Sequence, residues 1–592
     1  MDPRSRRPDR TRAVGSSPRV HADRLARRWE ALLWALPLVA ASVAALPVVV
    51  AGFPQGHDWI FELVRSAQYT QAVRAGQWPP TWASELYAGY GSPIFLFYAP
   101  LFPAASALGS ALLGTVGGGC VAALALLPAL AALAIAAMVR QVPGAPAASA
   151  RAAASFYVLH PYLLGDAWLR NADAEYTALC LAPFALAGVL RARANPRSAV
   201  LWIAAGLALV VLAHNLSGLW LAAVCAGATA LSAGRSGGGR AAALARISGI
   251  GLGLALASFF WLPALLWVSE VRTEQLLAGK FDFHGNFAAL GALFGWEDFF
   301  GMGPLTALAL AALAGTLALP APKHSGQRWI ALGALLGGLS SVALATPISV
   351  QLWELVPLLP LYQFPWRFAG PAALFAALAV ALLVSWTSAS LGRRAALVLE
   401  LLLFALCTLQ ALPRLLQYEP LPAPVRDRLE PALAPAALLR SPLPATVGEE
   451  YLPRGASLTA WQVVSPRLGP LVEWGGARVE VLEDRGVFAR LRVSSETEVT
   501  LRWARWAFPQ WRLDVNGSSA ALERGPSGEI ASRIPAGSYE LELRYEPPAA
   551  RRAGLWLSGI ALLSCAAIAL AGARPGRSAQ PGPGPFARAT QR

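Results

Sequence analysis

Cysteine and histidine are both scarce in this chain, with five of the first and six of the second among 592 residues. Cys120, Cys180, Cys225, Cys407 and Cys565 all fall inside apolar segments and none forms a Cys-x-x-Cys pair, which argues against disulfides and a zinc site. Charge is sparse as well, at 14% of residues against 56% hydrophobic. Together with repeated apolar runs of roughly 18 to 22 residues, this excludes a water-soluble globule and indicates a multi-pass α-helical membrane protein. Acidic residues are outnumbered by basic ones, giving a net charge of +15. Nine arginines lie in the first 28 residues and most others flank apolar runs. That is the positive-inside signature and argues against a nucleic-acid partner.

Apolar segments lie near 31–51, 94–113, 118–139, 152–167, 174–190, 198–213, 216–233, 247–268, 302–319, 329–346, 367–387, 395–413 and 554–573. The first is too long for a signal-peptide core, and Pro54-Gln55-Gly56-His57 does not resemble a cleavage site, so it reads as a retained anchor. Basic connectors at Arg140 to Arg151, Arg191 to Arg197, Arg235 to Arg246, Lys323 to Arg328, Arg393-Arg394 and Arg574 to Arg577 mark the cytoplasmic side. If all thirteen segments crossed, these connectors would fall on both sides of the membrane. One early segment must therefore fail to cross. Pro93, Pro100 and Pro103 single out 94–113 as a re-entrant or surface-lying piece, leaving about 12 spans with both termini cytoplasmic.

The expected domains are a basic cytoplasmic tail (1–30), a transmembrane domain (31–413) with its first outer loop at 52–93, an extracytoplasmic β domain (414–550), a terminal anchor (551–573) and a disordered cytoplasmic tail (574–592). In the β domain, apolar and charged residues alternate along Val487 to Val493, Val499 to Trp503 and Tyr539 to Glu546, and Asn516-Gly517 signals a hairpin. A β-sandwich-like fold is expected.

Five outer connectors collect the unusual polar residues and could line one cavity: 52–93, Asp166 to Glu175, His214-Asn215, 269–301 and 346–366. In the first, Gly56-His57-Asp58-Trp59 sets a carboxylate beside an imidazole in otherwise apolar surroundings. Asp58 could coordinate a divalent metal or act as general base on an acceptor hydroxyl, with His57 orienting it or binding the same ion; equally, the pair could cap a helix beginning near Trp59. Trp59, Trp78, Trp82, Tyr87, Tyr90 and Tyr98 suit an interfacial belt. A lipid phosphate would need cations. Arg367 and Arg170 are the candidates, against the alternatives of interfacial snorkelling for Arg367 and of an ion-pair cluster of Arg170 with Asp173 and Glu175. His214 and Asn215 must face protein or water, in a helix-end network or a cavity. Asp282, His284, Glu297 and Asp298 match no ligand motif and read as solvated loop, while Glu400 could pair near the cytoplasmic end. Asn215-Leu-Ser and Asn516-Gly-Ser match the glycosylation triplet, a pattern frequent by chance.

Gly-His-Asp, then Arg65 and Ala75-Gly76-Gln77-Trp78-Pro79, then Gly89-Tyr90-Gly91-Ser92-Pro93 resembles a family of bacterial multi-pass proteins labelled 6-pyruvoyl-tetrahydropterin synthase-related membrane domain. The likeness continues through Arg170 to Glu175, His214-Asn215 and Gln363-Phe364-Pro365-Trp366-Arg367, over roughly residues 31 to 390. Six scattered histidines do not supply the zinc cluster that pterin chemistry needs. The layout also resembles the GT-C superfamily of membrane glycosyltransferases. That resemblance implies a polyprenyl-phosphate-linked sugar donor, an envelope acceptor and catalysis by an acidic residue in the first outer loop. It points to Asp58 as the catalytic residue, with His57 beside it and a second acidic residue that could be Glu62, Glu85 or neither, and with Asp58 as ligand of a possible divalent cation (Mg or Mn). Arg367 and Arg170 would hold the donor phosphate, and Glu175, His214, Asn215, Gln363 and Trp366 would line the substrate cavity, in the plasma membrane. The alternative is a lipid or polysaccharide transporter or flippase that makes no bond. A transporter more often shows ionisable residues at mid-membrane or matching broken helices.

Overall fold

The computed structural model describes residues 30–233, 239–295, 298–318, 325–439, 446, 449–457 and 476–573. The basic tail before residue 30, the tail 574–592, Glu297, Lys323 and parts of 414–550 lie outside the described residues.

Among the described residues, nine helices are long and apolar enough to cross a membrane: Glu30–Ala51, Val116–Val139, Asp173–Arg191, Pro196–Ala213, Gly239–Leu256, Gly326–Ala345, Pro365–Leu391, Arg393–Leu416 and Ala549–Ala571. Shorter apolar helices cover Leu101–Leu113, Asn215–Leu231 and Pro304–Ala318. The segment near 152–167 is broken: the helix Ala147–Val158 ends before His160, and a new short helix, Pro161–Gly165, starts there with its first turn capped by the His160 ring. The chain is thus a helical membrane protein with a C-terminal β-sheet domain.

Ring and charge contacts fix the ends of the bundle. Trp34, at the start of the first span, lies under the guanidinium of Arg140 at 4.7 Å and near that of Arg151 at 5.9 Å. The start of the first span and the end of Val116–Val139 therefore share one end of the bundle. Between them the chain leaves and returns once, so Leu101–Leu113 does not cross. Tyr98-Ala99-Pro100 separates it from the short helix Ile94–Phe97, and it packs back on Val116–Val139. Their backbones approach so closely that a Cβ on Gly109 would lie 2.9 Å from the Gly119 Cα. At the Trp34 end, Arg151 also holds Glu400 through two hydrogen bonds of 2.5 and 2.8 Å. Glu400 thus pairs across to another helix.

Among the described residues eight strands follow: β1 (Arg478–Asp484), β2 (Phe488–Ser495), β3 (Val499–Trp506), β4 (Trp511–Val515), β5 (Ser518–Ala520), β6 (Glu523–Arg524), β7 (Glu529–Ile534) and β8 (Gly537–Tyr545). They form antiparallel sheets ordered β1-β2-β8-β4-β5 and β3-β7-β6. Leu491, Val493, Leu513, Leu541 and Leu543 of the first sheet and Leu501, Trp503, Ile530 and Ile534 of the second are all buried in the core. Period-2 alternation produces this two-sided arrangement. Asn516 and Gly517, with φ of 49° and 80°, make the primed turn joining β4 to β5.

The sheets dock on the first outer loop. The Trp506 amide donates to the Tyr90 carbonyl at 2.9 Å, and Trp82 sits among Phe508, Trp511 and Tyr545. A helix at Ala423–Leu433 adds Glu430, whose carboxylate accepts from the Val116 and Gly117 amides at 3.0 and 2.7 Å and so caps the span that starts there.

Candidate functional site

At the end of the bundle opposite Trp34 lies a cavity of about 1480 Å³. It takes residues from all five connectors: His57, Asp58 and Glu62; Arg170 and Glu175; His214 and Asn215; Lys280 and Phe299; Gln363, Trp366 and Arg367. All ten residues singled out for the site are among its walls. Leu216, Leu219, Leu254, Trp261, Leu265, Leu276 and Leu277 add a broad apolar face.

Backbone contacts hold Asp58 in place. Gly56 donates to the Asn171 side chain at 2.6 Å, His57 to the Leu169 carbonyl at 2.9 Å and Asp58 to the Arg170 carbonyl at 2.9 Å. The receiving segment is a π-turn, Asp166–Arg170, closed by Asn171 at φ 54°. Such irregular turns recur at functional sites. Asp58 stands at the N-cap of the helix Trp59–Arg74, yet its side chain makes no capping hydrogen bond. Its carboxylate has no hydrogen-bond or ion-pair partner among the described residues. The capping reading therefore fails, and a half-buried carboxylate faces the cavity.

Glu62, one turn along, is in a different state. It is 1% exposed, paired with Arg65 at 2.5 Å and hydrogen-bonded by the Tyr98 hydroxyl at 2.9 Å. The Arg65 guanidinium lies 4.1 Å from the Tyr98 ring centre. Burial pushes the Glu62 carboxyl up, against the pull of Arg65.

Beside Asp58, Glu175 bridges two guanidiniums. Arg170 reaches it at 3.2 Å and Arg367 at 3.1 Å, and the Tyr162 hydroxyl donates to it at 2.8 Å. Arg170 also pairs with Asp166, so its acidic partners are Asp166 and Glu175, whereas the Asp173 carboxylate is buried without a hydrogen bond. Arg367 donates to the Tyr362 carbonyl at 2.9 Å and to Gln363 Oε1 at 3.2 Å. Gln363 holds a φ of 62°, a region costly for a side chain with a Cβ. Trp366 packs against Phe299, Phe300 and Phe364 at centroid distances of 5.1 to 6.0 Å, with Arg170 over its ring at 4.5 Å. His214 Nδ1 pairs with the Ser217 hydroxyl at 2.8 Å, and Asn215 donates to the Phe97 carbonyl at 3.1 Å. Both are thus helix-end contacts that also line the cavity. Burial pushes the His214 imidazole down to about 4, so it is neutral at physiological pH.

Asp282 and His284 pair with each other at 2.7 Å in an exposed loop and do not line the cavity. The Asp298 carbonyl is taken by Arg414. Sequence reasoning did not assign Arg65 and Tyr98 to the cavity, although both stand in the motif window, and it overlooked Thr446, Glu450, Tyr451 and Arg454. Those four come from the far side of 31–413 and carry no local signal.

No protein-family profile matches the chain, and no curated protein matches it. The likeness to the 6-pyruvoyl-tetrahydropterin synthase-related domain therefore rests on its motifs alone. Among solved structures, the chain is similar to the arabinofuranosyltransferase AftD from Mycobacteria, at 19% identity over 66% of this chain and TM-score 0.45. It spans only 27% of that protein. It is also similar to the oligosaccharyltransferase of Archaeoglobus fulgidus, at 14% identity over 71% of this chain and 60% of that one, TM-score 0.42. For ArnT from Cupriavidus metallidurans, bound to undecaprenyl phosphate, the values are 14%, 60% and 78%, TM-score 0.28. At TM-scores below 0.5 such likenesses say nothing about substrate or chemistry.

Proposed function

We propose that this chain is a membrane glycosyltransferase of GT-C type, which moves a sugar from a polyprenyl-phosphate donor to an envelope acceptor at the extracytoplasmic face of the plasma membrane. The observation that carries the reading is the unpaired Asp58 carboxylate, held against a buried Arg170–Glu175–Arg367 network in a cavity with a broad apolar wall. An amphipathic donor needs such a wall for its prenyl chain and cations for its phosphate. Arg367, which keeps the greater exposure of the two arginines, meets the phosphate; Arg170 fixes Glu175 and Trp366. Asp58 takes the proton of the acceptor hydroxyl as that oxygen bonds to the anomeric carbon. The bond from that carbon to the phosphate oxygen breaks, and polyprenyl phosphate leaves with the electron pair. Glu62 orients Arg65 and does not react, because its Oε1 is already shared by Arg65 and Tyr98 and its Oε2 is buried.

Among the described residues no group of three or more His, Cys, Asp or Glu is disposed to hold a metal. A divalent cation such as Mg or Mn would therefore take Asp58 as its protein ligand and need donor phosphate oxygens to complete its shell. When bound, it would neutralise charge on the departing phosphate. The orientation that goes with this reading has both termini cytoplasmic.

The test is transfer of label from polyprenyl-phosphate sugars to envelope acceptors in membranes carrying wild-type protein or Asp58→Asn. Loss of about 10²-fold or more with unchanged melting temperature is expected for a general base. Equal transfer in both removes Asp58 from the chemistry, and transfer in neither favours the transporter alternative. A wild-type rate unchanged by EDTA removes the cation.

A further inference from the structure

Among the described residues, the lysine and arginine side chains that line the cavity are Arg65, Arg170, Arg367, Arg454 and Lys280. The four arginines are already answered by carboxylates. Arg65 pairs with Glu62 at 2.5 Å and Arg454 with Glu274 at 2.9 Å, while Arg170 and Arg367 share Glu175, with Asp166 as a second acid on Arg170. Two arginines and two carboxylates in that last group leave no net charge. The Lys280 ammonium makes no hydrogen bond or ion pair among the described residues, which makes it the positive counterpart of Asp58. Its contact is the Phe281 ring, with Nζ 5.2 Å from the ring centre. Phe281 meets Phe364 edge to face at 6.1 Å, and the Arg367 guanidinium lies 4.9 Å from the centre of that second ring. One aromatic pair on the cavity wall thus stands between the exposed Lys280 and Arg367.

We propose that Lys280 holds the lipid-borne phosphate monoester that leaves when the sugar is transferred, and so prefers polyprenyl phosphate to the phosphodiester donor. The proposal rests on the glycosyl-transfer reading and adds a second phosphate-binding cation to Arg367. A phosphodiester donor carries one negative charge, whereas the monoester it releases carries about 1.5 to 2 at neutral pH. An arginine network that its own carboxylates neutralise can donate hydrogen bonds to the first charge. The second needs a cation that no carboxylate already holds. Leu276 and Leu277, on the turn Thr273–Leu277 just before Lys280, stand on the apolar wall with Leu254, Trp261 and Leu265. The ammonium therefore borders the surface that suits a prenyl chain, from which a free phosphate ion would gain nothing. A compact point charge on a flexible stem can also follow a phosphate that shifts as its bond breaks.

The test is binding of radiolabelled polyprenyl phosphate to the full chain in phosphatidylcholine nanodiscs, at about pH 7.5 and in EDTA, with its methyl phosphodiester as the singly charged comparison. Lys280→Met should weaken monoester binding about tenfold, the size of one charge-assisted hydrogen bond, and diester binding about threefold or less. Lys280→Arg should keep most of both, which separates loss of the charge from loss of the fold. Phosphatidylglycerol and inorganic phosphate carry negative charge without the prenyl chain, and neither should displace the label at the same concentration. No monoester binding in the wild type, no loss in Lys280→Met, equal losses for the two esters, or displacement by either competitor would each overturn the assignment. If Asp58-dependent transfer is seen while Lys280→Met binds the monoester as the wild type does, the role of Lys280 alone falls. If Lys280-dependent binding occurs without transfer, the glycosyl-transfer reading alone falls.

Discussion

Asp58, at the N-cap of the helix Trp59–Arg74, and Glu62, in its first turn, stand one turn apart, and the difference between them is one of partners. Glu62 is enclosed and shared between a guanidinium and a phenol, whereas Asp58 keeps its carboxylate free toward the cavity. A free carboxylate beside buried cations can accept a proton; a doubly held one serves to orient. Nothing in the local sequence separates the two, because both are acidic residues near a helix start. His214 yields a prediction at this scale. Its folded pKa lies below the ordinary 6.5, so the folded state favours the neutral ring, and its share of stability is present above about pH 6.5 and lost as pH falls toward about 4. The melting temperature of the wild type should therefore drop more steeply over that window than that of His214→Gln, as read by thermal unfolding in detergent. Parallel curves would remove His214 from the pH response.

The decisive elements at the next scale are irregular ones. The Gly56–Asp58 loop is tied to the π-turn Asp166–Arg170 by three hydrogen bonds, and that contact sets Asp58 beside Arg170. Gly56 is needed for close approach: a Cβ there would lie 2.7 Å from the Leu169 carbonyl oxygen. Gly56→Ala should then cost about 1–3 kcal/mol through overpacking and lower transfer further by displacing Asp58. Membrane insertion should stay normal, since the spans are untouched. A melt and a transfer assay read the two effects, and an unchanged melting temperature would show that the loop is not held as described. Prolines give the segment 94–113 a similar irregularity. It stops at Tyr98, turns and packs back on its neighbour, so the helices after it keep their arginine-rich ends on the Trp34 side.

Across the whole molecule, the β domain and the first outer loop form one unit. Arg505 donates to the Gly89 carbonyl at 3.0 Å and grips Asp484 at 2.7 and 3.0 Å, while Tyr90 packs on Trp506. The run Gly89-Tyr90-Gly91-Ser92-Pro93, striking in the sequence for its composition, therefore serves docking. Arg505→Ala should destabilise by about 1–3 kcal/mol by leaving Gly89 and Asp484 without their partner. It should also speed proteolytic cleavage near residues 84–92, which limited proteolysis would reveal; an unaltered cleavage pattern would mean the two parts hold together without it.

The apolar helices and the odd segment 94–113 were legible in the sequence, since apolar length, flanking arginines and proline positions are local; about 12 spans were expected, against nine helices of spanning length and three shorter apolar ones among the described residues. Strands β2, β3, β4 and β8 and the Asn516-Gly517 turn were legible for the same reason, because period-2 alternation and φ > 0 at adjacent residues are properties of short stretches. The ten cavity residues could be named from five connectors, because polar side chains gathered on one side of a membrane have few places to go. Which of them pair was decided only by the tertiary structure. Glu175 between two arginines, Asp58 free and Glu62 held, and Tyr451 brought onto Phe97 from more than 350 residues away depend on how the helices pack. Contacts between distant segments leave no period or spacing in the chain, so only the fold carries that information.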